Sequence, residues 1–213
     1  LIVRGEDRNT LIQYPNNANL NSQQRQVFGV DASDFTLEYL SIRNTTPKGG
    51  SQAEAFRGNN QRITLNYVNL MSFQDTLWLQ GSAYVNGSYI EGDVDFVWGN
   101  GGVFLQDSEL RMVSSGGYLT QIRNRENGLG NVFLDCLLSA EPGVSGGWLS
   151  RIDPGVFPFS QVYFIDTRMG PHIRPEGWLL NNATTAPTVQ FGEYNSRNLD
   201  GSPVNVSGRA PFS

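Results

Sequence analysis

Cysteine and histidine are almost missing: Cys136 and His172 are the only ones in 213 residues. A single cysteine excludes a disulfide framework within the chain. Its apolar setting, Val132-Phe133-Leu134-Asp135-Cys136-Leu137-Leu138, suits a buried, inert thiol and not a nucleophile. A single histidine excludes any histidine-bearing metal cluster, and no metal is expected. It also leaves a Ser-His-Asp triad one possible base, in Gly170-Pro171-His172-Ile173-Arg174-Pro175 with no Gly-X-Ser-X-Gly nearby, where a structural role fits better. Charge is sparse too, at 16%, with a net −5 and no cluster of Lys and Arg, which argues against a nucleic-acid partner. No apolar run approaches the roughly 20 residues of a membrane helix, so no membrane partner is expected. Gly99, Gly101 and Gly102 are followed by no Lys-Ser/Thr and open no helical pattern, so they make no phosphate loop.

The first residues, Leu1-Ile2-Val3-Arg4-Gly5, show neither a methionine nor a signal-peptide pattern, and the chain reads as a piece of a longer polypeptide. Four Asn-X-Ser/Thr sequons, at Asn44, Asn86, Asn182 and Asn205, are compatible with secretion but expected by chance in so Asn-rich a chain.

What is present is glycine, 24 residues of it, together with many Asn, Gln, Ser and Thr, a mix that suits strands and turns. Short alternating runs recur: Leu37-Glu38-Tyr39-Leu40-Ser41-Ile42, Leu65-Asn66-Tyr67-Val68-Asn69-Leu70, Val85-Asn86-Gly87-Ser88-Tyr89-Ile90 and Leu105-Gln106-Asp107-Ser108-Glu109-Leu110, then runs anchored at Leu134 and Ile165. The anchors lie 28, 20, 20, 29 and 31 residues apart. Two consecutive gaps of 20 suit one coil of a solenoid, with longer gaps carrying loops. The expected architecture is all-β, a right-handed parallel β-helix; a β-sandwich is the alternative.

In such a solenoid, residues one coil apart are neighbours about 4.8 Å apart. Asp75 lies ten residues before Val85 and Asp95 ten before Leu105, so the two carboxylates are expected to stack on adjacent coils. Gln74, Gln52 and Arg151 fall in the same part of the repeat, ahead of a strand anchor. Two stacked carboxylates cannot both ionise freely, and a split pair supplies a nucleophile or base beside an acid. Arg151 could hold one of them ionised. Gln52 and Gln74 offer amide donors to an oxyanion. Trp78 and Trp98, three residues beyond the two aspartates, offer surfaces to sugar rings, and Phe96 joins them as a substrate-binding candidate. The constellation suits ester hydrolysis or glycoside cleavage; Asp ladders also stabilise β-helices with no catalysis at all.

Gln74-Asp75-Thr76-Leu77-Trp78 resembles the Gln-Asp-Thr-Leu-Tyr signature of pectin methylesterases, and Tyr89-Ile90-Glu91-Gly92-Asp93-Val94-Asp95-Phe96-Val97-Trp98-Gly99 resembles their Tyr-Ile-X-Gly-X-Val-Asp-Phe-Ile-Phe-Gly. Weaker likenesses run through Leu1 to Ile12, Ser51 to Arg57, His172 to Trp178 and Phe191 to Tyr194, so the resemblance to this carbohydrate esterase family, in a microbial-looking variant, covers nearly the whole chain. It implies a right-handed parallel β-helix over residues 1–213 as one catalytic domain, short at both ends relative to the family, with roughly 187–213 as a C-terminal extension packed on the helix. It implies Asp95 as nucleophile, Asp75 as general acid/base, Gln74 and Gln52 at the oxyanion and Arg151 as the arginine of Leu-Gly-Arg-Pro-Trp. Here that motif reads Leu149-Ser150-Arg151-Ile152-Asp153, with Asp153 in place of a substrate-contacting tryptophan.

The activity so implied is a pectinesterase (carboxylic ester hydrolase) acting on methyl-esterified homogalacturonan, without cofactor, as a secreted monomer. The acidic balance adds the expectation that the anionic, de-esterified product binds poorly. Three other readings stay open: a hydrolase of another ester or thioester, a β-helical lyase or glycosidase, and a non-catalytic carbohydrate-binding solenoid.

Overall fold

The computed structural model describes residues 1–210. The short alternating runs become strands that wind through three parallel sheets, one strand per sheet per coil. The first sheet holds eight strands, from Ile2–Arg4 to Gln190–Tyr194, and the second another eight, from Leu11–Tyr14 to Arg197–Asn198. The third holds seven: Phe28–Val30, Phe56–Gly58, Leu77–Leu79, Val94–Gly99, Tyr118–Ile122, Trp148–Ile152 and Trp178–Leu180. Every pairing between these strands is parallel, and the architecture is a right-handed parallel β-helix. Among the described residues no helix is long and apolar enough to cross a membrane.

The interior is a set of aliphatic and aromatic columns running along the coil axis. Leu37, Leu65, Val85, Leu105, Phe133 and Phe164 are in register and fully buried. A second column, Ile42, Leu70, Ile90, Leu110 and Leu138, lines the next sheet. The last two anchors of the first column differ from expectation by one residue: Leu105 pairs with Phe133, and Phe133 with Phe164, while Leu134 and Ile165 are half-exposed neighbours. The rings of Phe133 and Phe164 stack at 4.5 Å, which fixes the inward face.

In seven of the eight coils the corner between the first and second sheets is turned by one residue in the left-handed region. Tyr39, Tyr67, Gly87, Asp107, Asp135, Asp166 and Asn195 all have φ between 49° and 56°. Asp and Asn tolerate this conformation better than most residues. Gly87 does more than tolerate it, because a Cβ there would run into the ring of Tyr67 one coil earlier.

Residues 190–198, inside the stretch expected as an extension, instead continue the first and second sheets as one more coil. The following segment folds back, and Arg209 donates to the Glu193 carboxylate and to the carbonyls of Arg174 and Pro175. Residues 211–213 of that expected extension lie outside the described residues.

Each column residue is sandwiched between coils that cannot close over a hole. Leu105→Ala should therefore lower the unfolding free energy by about 2–5 kcal/mol. A denaturant titration should show a lower midpoint with an unchanged slope, and an unshifted midpoint would contradict the column.

Candidate active site

The third sheet carries the polar face. Its register pairs Phe56 with Leu77 and Leu77 with Val97. Glu54, Asp75 and Asp95 each stand two residues before one of these partners, so three carboxylates occupy one row of three adjacent coils. All three are buried, at 0%, 6% and 4% exposure. Asp75 and Asp95 both take left-handed backbone angles, φ 68° and 50°, and the register of Val94–Gly99 against Tyr118–Ile122 shifts between Val94 and Val97. That irregularity interrupts the strand's alternation around Asp95.

Two guanidinium groups meet the row. Arg151 donates Nε to Asp95 Oδ1 at 2.9 Å and Nη2 to Asp95 Oδ2 at 2.6 Å, a two-pronged pair. Its guanidinium lies 4.1 Å over the Tyr118 ring, which holds it in place. Arg25 donates Nε to both oxygens of Glu54, at 2.8 and 3.0 Å, and Nη2 to Asp75 Oδ2 at 3.2 Å.

The two aspartates are thereby made unequal. Burial pushes the Asp75 carboxyl well above the usual carboxylate range, the charges of Glu54 and Asp95 push it further, and Arg25 and Arg123 oppose them. Burial also raises Asp95, but the Arg151 hydrogen bonds and charge pull it back. Of the two, Asp75 is raised the further, so it is the carboxyl that keeps its proton to the higher pH.

Gln74 bridges to Val94 through its backbone beside Asp75, and Gln52 lies half-buried one coil earlier, its amide oxygen accepting from the Ser51 hydroxyl at 3.0 Å. Trp78 and Trp98 pair in register and stack at 4.4 Å and 16°. Arg57 lies 5.6 Å from the Trp78 ring centre, Arg123 lies 4.8 Å from that of Trp98, and Arg25 is 5.4 Å from both. This corrects one expectation: the indole faces are taken by each other and by arginines, and no open platform for a sugar ring remains. Both tryptophans still line a cavity of about 620 Å³, together with Arg123, Asn124, Val156 and Phe157. Phe96 is a second correction. It is fully buried in the hydrophobic core and has no surface to offer a ligand.

Asp153 is a turn residue: its carboxylate accepts from the Gly155 amide at 2.9 Å and from the Asn182 side chain at 2.8 Å. Phe157, four residues on, lines the cavity together with Phe159, its ring 5.1 Å from the Arg123 guanidinium; Asp75 and Asp95 are not among the lining residues. Arg25, Arg123 and Arg151 surround the carboxylates, so this face carries cations that the net charge of the chain does not reveal. Sequence reasoning missed Arg25, Glu54, Arg123 and Phe157. Glu54 alone had a signal, 21 residues before Asp75, close to the repeat of 20 that set Asp75 against Asp95.

Comparison with known proteins gives a consistent answer. The family model described as Pectinesterase matches residues 2–210. Pectinesterase 2 of Olea europaea is 32% identical over 193 residues, covering 86% of this chain and 50% of that relative. The chain thus spans about half the length of the curated relatives it matches. Among solved structures, pectin methylesterase from carrot superposes with a TM-score of 0.87 at 21% identity, over 100% of this chain and 75% of that one. A pectin methylesterase in complex with a hexasaccharide superposes with a TM-score of 0.84 at 22% identity, over 100% and 78% of the two chains.

Replacing Arg151 with Met should raise the titration midpoint of the Asp95 carboxyl by about 1–3 pH units, because the opposite charge that stabilises the carboxylate is gone. Carbon-13 NMR of labelled aspartate carboxyls reads this directly, and an unmoved midpoint would contradict the pairing.

Proposed function

The chain belongs to the pectinesterase family, and from that premise we propose that it hydrolyses the C6 methyl esters of homogalacturonan to pectate and methanol through an aspartyl acyl-enzyme. The observation that carries the reading is the two-pronged Arg151–Asp95 pair one coil from Asp75. It supports an ionised, oriented nucleophile next to a carboxyl that keeps its proton.

In the proposed sequence, an Asp95 oxygen attacks the C6 ester carbon and the carbonyl oxygen becomes an oxyanion. The amides of Gln74 and Gln52 donate to that oxyanion, where one such donor is worth about 3–4 kcal/mol. The C6–methoxy bond breaks, Asp75 gives its proton to the leaving oxygen, and methanol departs. The resulting anhydride joins C6 to Asp95. Asp75, now ionised, takes a proton from water as that water attacks the anhydride, Asp95 leaves as carboxylate, and the freed C6 carboxyl gives its own proton to solvent to become galacturonate. No cofactor enters these steps. Trp78 and Trp98 meet the polymer by their edges and Phe157 by its ring along the cavity wall. The hexasaccharide complex of a structural relative supports a saccharide chain as ligand. The location that goes with such a polymer is outside the cytoplasm, and the protein is expected to act as a monomer.

The pH dependence follows from the two aspartates. Activity requires Asp95 ionised, so it falls on the acid side as Asp95 gains a proton. It requires Asp75 protonated, so it falls on the alkaline side as Asp75 loses one. Both carboxyls are raised, Asp75 more strongly, so the bell of kcat/KM against pH should lie above the usual carboxylate range of about 4.

Methanol release from highly methylated pectin, with no new reducing ends, is the expected activity. Asp95→Asn should lose at least about three orders of magnitude and Asp75→Asn about 10²–10⁴-fold. Methanol release unchanged in Asp95→Asn would sink the nucleophile assignment; new reducing ends without methanol would favour a lyase or glycosidase.

A further inference from the structure

Glu54 is fully buried, and ester hydrolysis by two aspartates does not call for a third acid. A buried carboxylate needs a partner, and Arg25 supplies one by sharing its Nε–H between both Glu54 oxygens, while Nη2 of the same guanidinium reaches Asp75 more weakly at 3.2 Å. The scaffold fixes this arrangement. The side chain of buried Asn44 donates to the carbonyls of Asn16 and Glu54 at 2.6 and 2.9 Å and to that of Arg25 at 3.4 Å. The Val27 amide donates to the Glu54 carbonyl at 3.0 Å. The loop that carries Arg25 is therefore tied to the coil that carries Glu54.

The charged groups facing Asp75 are Glu54 from the preceding coil, Asp95 from the following one, Arg25 from the loop ahead of Phe28–Val30 and Arg123 from the end of Tyr118–Ile122. Arg57 faces Glu54, and Arg151 is engaged with Asp95. A lone Arg25 beside Asp75 would draw off the proton that Asp75 has to donate. Burial raises the Glu54 carboxyl above its ordinary range, and the charge and hydrogen bond of Arg25, with the charge of Arg57, oppose that rise. With Glu54 held ionised by this pairing, Arg25 presents a near-neutral unit and still offers a hydrogen bond that orients the Asp75 carboxyl.

We propose that Glu54 is a positioning residue for proton transfer: by neutralising Arg25 it lets Asp75 hold, at a fixed orientation, the proton destined for the leaving methoxide. The proposal rests on the reading of Asp75 as general acid. It also gives the stretch Gln52-Ala53-Glu54 a second purpose beside the amide of Gln52.

The test follows the carboxyl carbons of Asp75 and Glu54 by carbon-13 NMR across pH, in the whole chain, alongside methanol release. In the wild-type protein Glu54 should titrate below Asp75; the reverse order would overturn the proposal, and this needs no variant that might fail to fold. Glu54→Gln, which keeps the shape and one acceptor, should lower the Asp75 midpoint by about one pH unit or more, and the alkaline limb of the methanol-release profile should move with it. The double variant Arg25→Met, Glu54→Gln removes both charges and should return the midpoint toward the wild-type value. An unmoved midpoint in Glu54→Gln, or a double variant that stays as low as the single, would overturn the proposal. Carboxyl shifts as expected in a protein that releases no methanol would overturn the esterase reading and leave the charge coupling standing; methanol release with unmoved carboxyls would do the reverse.

Discussion

The repulsion between carboxylates one strand apart, out of water, is the constraint on which the rest of this molecule turns. Parallel strands lie about 4.8 Å apart, and at that distance two buried negative charges are incompatible without cations or protons between them. The chain answers with both. Arg151 grips Asp95 and Arg25 grips Glu54, and the carboxyl between them, Asp75, is the one pushed well above the usual carboxylate range. The β-helix matters because it turns a sequence interval into this contact.

The apolar columns explain which parts of the structure were legible in the sequence. Two gaps of 20 residues set Asp75 over Asp95 and the Val85 column in register, because coils without inserted loops repeat strictly. The register slipped at Val132-Phe133-Leu134 and Tyr163-Phe164-Ile165, where three apolar residues in a row leave alternation nothing to distinguish. There, ring stacking between Phe133 and Phe164 decides the inward face. Phe96 was misread for a related cause: the irregularity between Val94 and Val97 breaks the period of two next to the residue that mattered most.

The cations divide along the same line. Arg151 sits on a strand of the third sheet and its place follows from the repeat, whereas Arg25, Arg123 and Phe157 come from loops or strand ends, where no period applies. The tryptophans show how a correct position can carry a wrong use. Trp78 and Trp98 do stand beside the aspartates, but the same in-register stacking that brings them together consumes their faces, and arginines take what is left. The result is an Arg57–Trp78–Trp98–Arg123 stack on the third sheet.

The central claim is that Asp75 still holds its proton at a pH where Asp95 is already ionised. Infrared difference spectroscopy between wild type and Asp75→Asn at that pH tests it most directly. The account predicts that the carbonyl stretch of a protonated carboxylic acid is present in the wild type and lost in the variant. A spectrum in which that band is absent from the wild type, or survives the substitution undiminished, would contradict it.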